Sequence, residues 1–338
     1  MPVLRLSDMK RTARMEFLFG ISICALLPSW GIAQSGSSGS GPLRPEARGI
    51  YCLTQAEGIQ QVDLANLNCW DNPNIVGVAI RVTWSVTEQS AGQYDWSYLE
   101  EALRMARSKK KLIAISVVAG IRSPDWVFGS ATVLRLTGKA AKHRDTVPAP
   151  WDANYLSAWK KFVQAFGARY DGNPLIGYVT ATGLGRGEEC HLLDDPNDAW
   201  QFDANRWLAA ANQVISCYHS AFRTTPWVLA WGQPALHQNH LMANLYTESG
   251  GFGFKADNLF VFFPNPGVPL GRLALRMSRS HAVVFQALRP AHDPYTLDAV
   301  IENGCRVGMQ AFECYQNDVS DPACQAVLAA ANRAMGAR

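Results

Sequence analysis

Two adjacent glutamates, Glu188 and Glu189, stand where an apolar stretch of the chain gives way to a polar one. The segment LIGYVTATGLGRGEECHL (175–192) begins with apolar and β-branched residues and ends with glycines, an arginine, the glutamate pair, a cysteine and a histidine. A third glutamate, Glu313, closes the apolar run RVGMQAFE (306–313). Two carboxyl groups that flank a glycosidic bond can act as general acid and as nucleophile or base. These glutamates are the candidate catalytic residues.

Eight short apolar runs alternate with amphipathic segments, and they predict the elements that carry these glutamates. The predicted strands are 49–54, 76–84, 111–119, 175–182, 226–231, 258–263, 282–288 and 306–313. Helical periodicity covers 96–110, 153–170, 203–222 and 321–335, and it is weak in 267–277. Apolar strands that alternate with helices are typical of a parallel sheet buried on both faces. Eight such units predict an α/β fold, a single (β/α)₈ TIM barrel. A doubly wound open sheet is the alternative, but no GxGxxG motif follows the first strand, as its dinucleotide-binding form requires.

Chemistry in a TIM barrel lies at the carboxyl ends of the strands, so residues at the other predicted strand ends complete the candidate site. The candidate substrate-binding residues are aromatic, amide and charged: Arg81, Trp84, Glu88, Trp126, Trp231, Asn265, Gln286 and Tyr315. Indole faces stack on sugar rings, while amides and carboxylates bind sugar hydroxyls. This set predicts a carbohydrate-binding cleft with Glu189 as general acid and Glu313 as the second carboxylate. The competing interpretations are a solvated loop pair for Glu188 and Glu189, and a structural Glu313 paired with Arg81.

The segment VGVAIRVTWSVTEQSAGQYDWSYLEEALRMARSKKKLIAISVVAG (76–120) resembles the second and third βα units of clan A (β/α)₈ glycoside hydrolases. The β-galactosidase-like and cellulase-like branches carry a comparable stretch with the pattern W…E…G.YDW..L. The resemblance implies that Arg81 supports the nucleophile, and that Trp84 and Glu88 shape a sugar subsite. The strand order of 49–338 fits this group, while clear motif similarity is confined to about 76–128 and the fourth-strand region.

Two features depart from the pattern of that clan. Its acid/base glutamate follows an asparagine at the end of the fourth strand, whereas GRGEECHL (185–192) has no such asparagine and lies several residues later. Its nucleophile is a glutamate that ends the seventh strand, where this chain has Gln286. Three functions therefore remain open: a glycoside hydrolase that cleaves a poly- or oligosaccharide, a carbohydrate-binding barrel without catalysis, and other barrel chemistry such as that of a lyase or a metal-assisted hydrolase.

The amino-terminal residues predict a chain destined for export. A basic stretch precedes the apolar FLFGISICALLPSW (17–30), which is too short to span a bilayer, so 1–33 is predicted to be a signal peptide. A Ser/Gly-rich linker, 34–48, precedes the barrel at 49–338. The expected destination is the periplasm or the outside of the cell.

Export bears on the cysteines, since oxidising compartments permit disulfides. Seven cysteines follow residue 33, an odd number that leaves at least one unpaired. Cys314 with Cys324 is the favoured pair, and Cys52 with Cys69 is the next.

Composition narrows the range of partners. A formal net charge of +3 does not suggest a nucleic-acid-binding surface, and no stretch after the signal is apolar enough for stable membrane insertion. There is no CxxC pair, and HQNH (237–240) is the only close histidine spacing, so neither a metal nor another cofactor is predicted. The expected partner is a carbohydrate substrate, and the oligomeric state is left open.

Overall fold

The computed structural model describes residues 41–54, 61–137, 143–192, 200–235, 238–248 and 250–337. The strands formed by these residues are β1 (Gly49–Leu53), β2 (Gly77–Thr83), β3 (Leu112–Val118), β4 (Val133–Arg135), β5 (Thr146–Pro148), β6 (Ile176–Ala181), β7 (Trp227–Ala230), β8 (Gly253–Leu259), β9 (Val283–Ala287) and β10 (Ala311–Tyr315). All except β4 and β5 pair in parallel, in the order β1-β2-β3-β6-β7-β8-β9-β10, and β10 pairs again with β1. The predicted (β/α)₈ TIM barrel is confirmed. Strands β4 and β5 form a separate antiparallel pair.

Helices surround the barrel, as the alternating pattern indicates. Those of the described residues are α1 (Trp84–Thr87), α2 (Ser97–Lys109), α3 (Asp125–Phe128), α4 (Ala153–Tyr170), α5 (Ala204–Ala221), α6 (Asn239–Glu248), α7 (Pro269–Met277), α8 (Pro294–Arg306), α9 (Gln316–Ser320) and α10 (Gln325–Met335). The weakly periodic segment 267–277 does contain a helix, α7. In the HQNH segment, His240 belongs to α6, whereas His237 lies outside the described residues. No helix in the described ranges is both long and apolar enough to cross a membrane.

Helix α4 shows how the sequence specifies these elements. Its N-cap, Asp152, accepts hydrogen bonds from the backbone N–H groups of Asn154 and Tyr155 at 2.9 and 3.0 Å, which satisfies donors that the helix itself cannot pair. Residues Trp159 and Phe162 on its inner face are buried against the barrel. Burial of this apolar stripe orients the helix on the barrel wall.

Two predicted strands were placed wrongly. The sixth was expected at 258–263, but β8 is Gly253–Leu259, and Phe262 beyond it is 78% exposed. The charges of Lys255 and Asp257 made this segment look unlike a buried strand. The eighth was expected at 306–313, but β10 is Ala311–Tyr315, so Glu313 lies in the middle of its strand rather than at the end.

The barrel domain begins before residue 49, because part of the predicted 34–48 linker packs on it. Leu43 is buried, and its N–H donates to Oε1 of Gln310 at 2.9 Å. Arg48 Nε donates back to the Leu43 carbonyl at 2.9 Å. The predicted signal peptide, 1–33, and linker residues 34–40 lie outside the described residues.

The cysteines of the described region are free thiols, so neither predicted disulfide is formed in this structure. Cys52 and Cys69 are nevertheless neighbours, and the hydrogen bond between them, together with burial, raises the pKa of Cys52. Cys314 and Cys324 are both buried.

Candidate functional site

Five charged side chains meet inside the upper part of the barrel, where the strands approach their carboxyl ends. They are Arg81 from β2, Lys255 and Asp257 from β8, Glu313 from β10, and Glu188 from the loop after β6, and they are called the charge network below. Lys255 and Asp257 face the same side of β8 because side chains two residues apart in a strand share a face.

Lys255 lies at the centre of the charge network. Its Nζ contacts Oε1 of Glu188, lies 3.2 Å from Oε2 of Glu313 and lies 3.3 Å from Oδ1 of Asp257. Its side chain is 0% exposed, so these carboxylates compensate a cation that is shielded from solvent.

Arg81 bridges the same carboxylates from the opposite wall. Its Nε lies 2.6 Å from Oε2 of Glu188, while its Nη2 is 3.8 Å from Glu313 and 3.9 Å from Asp257. Nη2 also donates to Oε1 of Gln286, and Gln286 is hydrogen-bonded to Tyr315. Gln286 and Tyr315, expected to bind substrate, therefore help to hold Arg81 in place.

The charge network has more carboxylates than cations, and this imbalance perturbs its titration. Burial would raise the pKa of Glu188, but the neighbouring Arg81 and Lys255 cations lower it below the usual value. Burial raises the pKa of Asp257 to about 6, against the opposing effect of Lys255 and with the help of the Glu188 charge. Asp257 is thus a carboxyl group whose protonation changes near neutral pH.

A cleft of about 570 Å³ opens beside the charge network, at the ends of β6, β7 and β8. It is called the acidic cleft below. Its lining includes Glu189, His191, Trp231, Gln233 and Asp257. Trp231 is half-buried and stacks on Tyr246, which leaves part of the indole available at the cleft wall. The cleft therefore combines two carboxyl groups, an aromatic face and an amide.

Glu189 faces the acidic cleft with 35% of its side chain exposed. Burial, together with the charges of Asp257 and Glu188, raises its pKa to about 8. Burial and the Arg186 charge lower the pKa of His191 to about 4, so this imidazole is neutral at neutral pH. A neutral, protonated Glu189 is a proton donor of the kind that general acid catalysis requires.

His191 is fixed in one orientation. Its Nδ1 accepts a hydrogen bond from the backbone N–H of Gln233 at 2.7 Å, which leaves the ring proton on Nε2. That Nε2 lies 3.7 Å from Oε1 of Glu189.

Close backbone packing fixes the loop that carries Glu188 and Glu189. Gly120, at the end of β3, has a φ of +65°, and a Cβ there would lie 2.4 Å from the Gly185 carbonyl oxygen. On the other side, a Cβ on Gly232 would lie 2.5 Å from the carbonyl carbon of Cys190. The loop is held between the ends of β3 and β7, and only glycine fits at either contact.

Three of the predicted substrate-binding residues lie away from the acidic cleft, and two of them, Glu88 and Trp126, line a separate pocket of about 470 Å³. Trp84 is completely buried and packs edge-on against Trp159 at 4.8 Å between ring centroids, so it cannot stack on a sugar. Glu88 accepts hydrogen bonds from Trp84 Nε1 and from the Gly92 N–H, both at 2.7 Å. Trp126 is half-buried and packs against Trp84. These residues were predicted from strand ends, but their side chains turn towards α4 rather than towards the barrel mouth.

Asn265 also has a structural role. Its Nδ2 donates to the Phe262 carbonyl at 2.9 Å and its Oδ1 accepts from the Gly267 N–H at 2.9 Å, which stabilises the turn after β8. It is not among the residues that line the acidic cleft.

The sequence interpretation missed Lys255, Asp257, Tyr178 and His191. Tyr178 lies on β6 and donates from its hydroxyl to Oε1 of Glu313 at 2.9 Å. The available signal was GFKADNL, in which Lys255 and Asp257 alternate with the apolar Phe254 and Ala256. Alternating charges in a barrel strand indicate an inward-facing ionic site.

The structure thus defines a TIM barrel with an ionic interior and an acidic cleft at its mouth. No family model matches the chain, and no curated protein matches its sequence. Among solved structures, the catalytic domain of a β-amylase from Paenibacillus polymyxa is similar in fold, with a TM-score of 0.58 and 9% sequence identity over 82% of this chain and 94% of that one. This similarity supports the (β/α)₈ barrel fold and extends no further than the fold. Because 306 solved chains match this structure, the fold alone does not define a function, and the chemistry of the site must.

Proposed function

We propose that this protein is an exported glycoside hydrolase that cleaves a poly- or oligosaccharide, with Glu189 as its general acid. The observation that carries the proposal is the acidic cleft, in which Glu189 is raised to a pKa of about 8 beside a second carboxyl group, Asp257. Two carboxyl groups in different protonation states at one cleft are what glycosidic hydrolysis requires. Trp231 supports a carbohydrate substrate because its indole can stack on a sugar ring.

Each cleft carboxyl group has a defined step in this reaction. Glu189 transfers its proton to the glycosidic oxygen as the bond to the anomeric carbon breaks. Asp257, ionised above about pH 6, either attacks that carbon or removes a proton from the attacking water. Glu313, the partner that the sequence favours, is 3% exposed and lies deeper, in contact with Lys255 and Tyr178. Asp257 is therefore our first choice for the second carboxylate.

The experiment is a panel of polysaccharides with release of reducing ends as the readout. We expect Glu189→Gln and Asp257→Asn each to lower kcat by about 100-fold or more on a substrate that the wild type cleaves. Glu302→Gln, which alters an exposed carboxylate on α8 that pairs with Arg306, is the matched control. If Glu313→Gln abolishes activity while Asp257→Asn does not, the sequence-based pair of Glu189 and Glu313 is correct and our choice of partner is wrong.

The stereochemistry of the product separates the two roles of the second carboxylate. Retention of the anomeric configuration identifies it as a nucleophile, and inversion identifies it as a base that activates water. Export rests on residues 1–33 alone, and it is checked by fractionating cells that express the full chain and sequencing the amino terminus of the product.

A carbohydrate-binding barrel without catalysis is the second candidate. It is favoured by Gln286, which occupies the position where the resemblance implies a nucleophilic glutamate and accepts a hydrogen bond from Arg81. Glycan binding that Glu189→Gln leaves unchanged, combined with no hydrolysis across the panel, would select this function over the first.

A further inference from the structure

A second polar pocket, of about 430 Å³, lies on the same face of the barrel as the acidic cleft, at the ends of β2 and β3. It is called the rim pocket below. Its lining includes Ser85, Arg122, Ser123, Asp125, His143 and Arg144. None of these residues belongs to the charge network or to the acidic cleft.

Two hydrogen-bonding groups of the rim pocket lack a protein partner. No hydrogen bond or ion pair engages the guanidinium of Arg122 within the described residues. Ser123 is 2% exposed, and among the residues that the structure describes its buried Oγ has no hydrogen-bond partner. A buried hydroxyl that is unsatisfied costs free energy, and a ligand oxygen that accepts from it would remove that cost.

The remaining charges of the rim pocket are already fixed. Arg144 donates from Nη1 and Nη2 to Oδ1 of Asp125 at 3.2 and 3.1 Å, and its Cζ lies 3.4 Å from the centre of the Phe128 ring. Asp125 therefore offsets Arg144, and the charge of Arg122 remains uncompensated. The rim pocket is a site with net positive charge, suited to an oxyanion.

The rim pocket is in direct contact with the loop that carries Glu188 and Glu189. The backbone N–H of Ile121, next to Arg122, donates to the Arg186 carbonyl at 2.9 Å, and Gly120 packs against Gly185. Arg186 precedes Glu188 and Glu189 by only a few residues. The rim pocket and the acidic cleft therefore lie on either side of one loop, whose residues Glu189 and His191 line the cleft.

We infer that the rim pocket binds the carboxylate or sulfate group of a sugar residue, so that the substrate is an anionic polysaccharide. This inference rests on the proposed glycoside hydrolase function. Arg122 supplies a planar pair of N–H donors to the oxyanion, and Ser123 supplies its hydroxyl. Carboxylate and sulfate share this chemistry, so a polyuronate and a sulfated polymer are both tested.

The experiment compares a polyuronate, a sulfated polysaccharide and a neutral polymer as substrates for the full chain. The readout is the ratio of kcat/KM on the cleaved anionic polymer to kcat/KM on the neutral polymer. We expect Arg122→Ala to lower this ratio by at least about tenfold, mainly by raising KM for the anionic polymer. Arg122→Lys should recover only part of the loss, because a point charge replaces the planar fork. Arg107→Ala removes the same charge from the exposed carboxyl end of α2, at the opposite face of the barrel, and should change nothing.

Binding of anionic and neutral oligosaccharides is measured by calorimetry in parallel. If anionic oligosaccharides bind and Arg122→Ala abolishes that binding while no polymer is hydrolysed, the inference stands and the proposed function fails. If only neutral polymers are cleaved, or if Arg122→Ala leaves the preference for anionic polymers unchanged, the inference is overturned and the proposed function survives. Inorganic sulfate that binds the rim pocket as tightly as the anionic oligosaccharides would show a free-anion site and would also overturn it.

Discussion

Replacing Lys255 with methionine tests whether the charge network holds the barrel mouth together. At an effective dielectric constant of about 20, two unit charges 3.2 Å apart, the distance from Lys255 Nζ to Glu313, attract by about 5 kcal/mol. Desolvation and the repulsion between Lys255 and Arg81 offset part of this attraction. Removing one partner of a buried ion pair nevertheless costs about 3–5 kcal/mol, since the other charge stays buried. We expect Lys255→Met to lower the free energy of unfolding by that amount at neutral pH.

The pH dependence of this loss has a definite sign. Lys255 lowers the folded-state pKa values of Glu188 and Asp257, so without it these two pKa values move upwards relative to those of the unfolded chain. At a pH between the unfolded-state and folded-state pKa values of these groups, the folded variant binds more protons than the unfolded variant. The free energy of unfolding of the variant therefore falls as pH rises. The loss caused by Lys255→Met should therefore be larger at about pH 8 than at about pH 5.

The assay is urea unfolding followed by tryptophan fluorescence at both pH values. Lys109→Met is the matched control, because Lys109 pairs with Asp71 at 2.6 Å on the surface and exposed pairs contribute about 0–1 kcal/mol. The reasoning is refuted if Lys255→Met destabilises no more than Lys109→Met, or if its loss is greater at the lower pH.

Three further predictions address the site and the loop that carries it. The pH profile of kcat/KM should be bell-shaped, rising as Asp257 ionises near pH 6 and falling as Glu189 loses its proton near pH 8, and a flat profile would exclude this pair. Trp231→Ala should raise KM by roughly tenfold through lost stacking on the sugar. Trp84→Ala should instead lower the free energy of unfolding by about 3–5 kcal/mol, because Trp84 is buried in the core. Equal effects of the two variants on sugar binding by calorimetry would contradict the assignment of Trp231 to the cleft and Trp84 to the core. Gly120→Ala should lower both Tm and kcat, because its Cβ would lie 2.4 Å from a backbone oxygen of the loop that carries Glu188 and Glu189. An unchanged Tm would show that this loop moves to accommodate the Cβ without loss of stability.

Most of the barrel could be predicted from the sequence because its strands are nearly continuous apolar runs and its helices carry a helical apolar periodicity. Runs such as LIAISVV in β3 face apolar surroundings on both sides, and α4 presents an apolar stripe to the barrel. The prediction failed at β8, since a strand that directs Lys255 and Asp257 into the barrel breaks the apolar run. Lys255 and Asp257, which belong to the charge network, are therefore the residues that interrupt the apolar pattern by which this strand would be recognised.

The site was only partly predictable because strand ends locate a face of the barrel but not the direction of each side chain. Glu188 and Glu189 were placed correctly on the loop after β6, yet they face different surroundings: one lies in the charge network, the other in the acidic cleft. Trp84 also follows a strand end, but α1 begins there and turns its indole under α4. Helix and turn geometry after a strand decides which residues reach a ligand.

The unequal numbers of carboxylates and cations connect the fold to the proposed chemistry. Three carboxylates surround Arg81 and Lys255, and Glu189 adds a fourth at the edge of the acidic cleft. Two cations compensate only part of this negative charge, and burial together with the charges of Asp257 and Glu188 raises the pKa of Glu189 to about 8. Glu189 faces the acidic cleft, with 35% of its side chain exposed. The same buried charges that stabilise the barrel interior thus place a neutral acid beside an ionised carboxylate, and the chemistry at the barrel mouth depends on their balance.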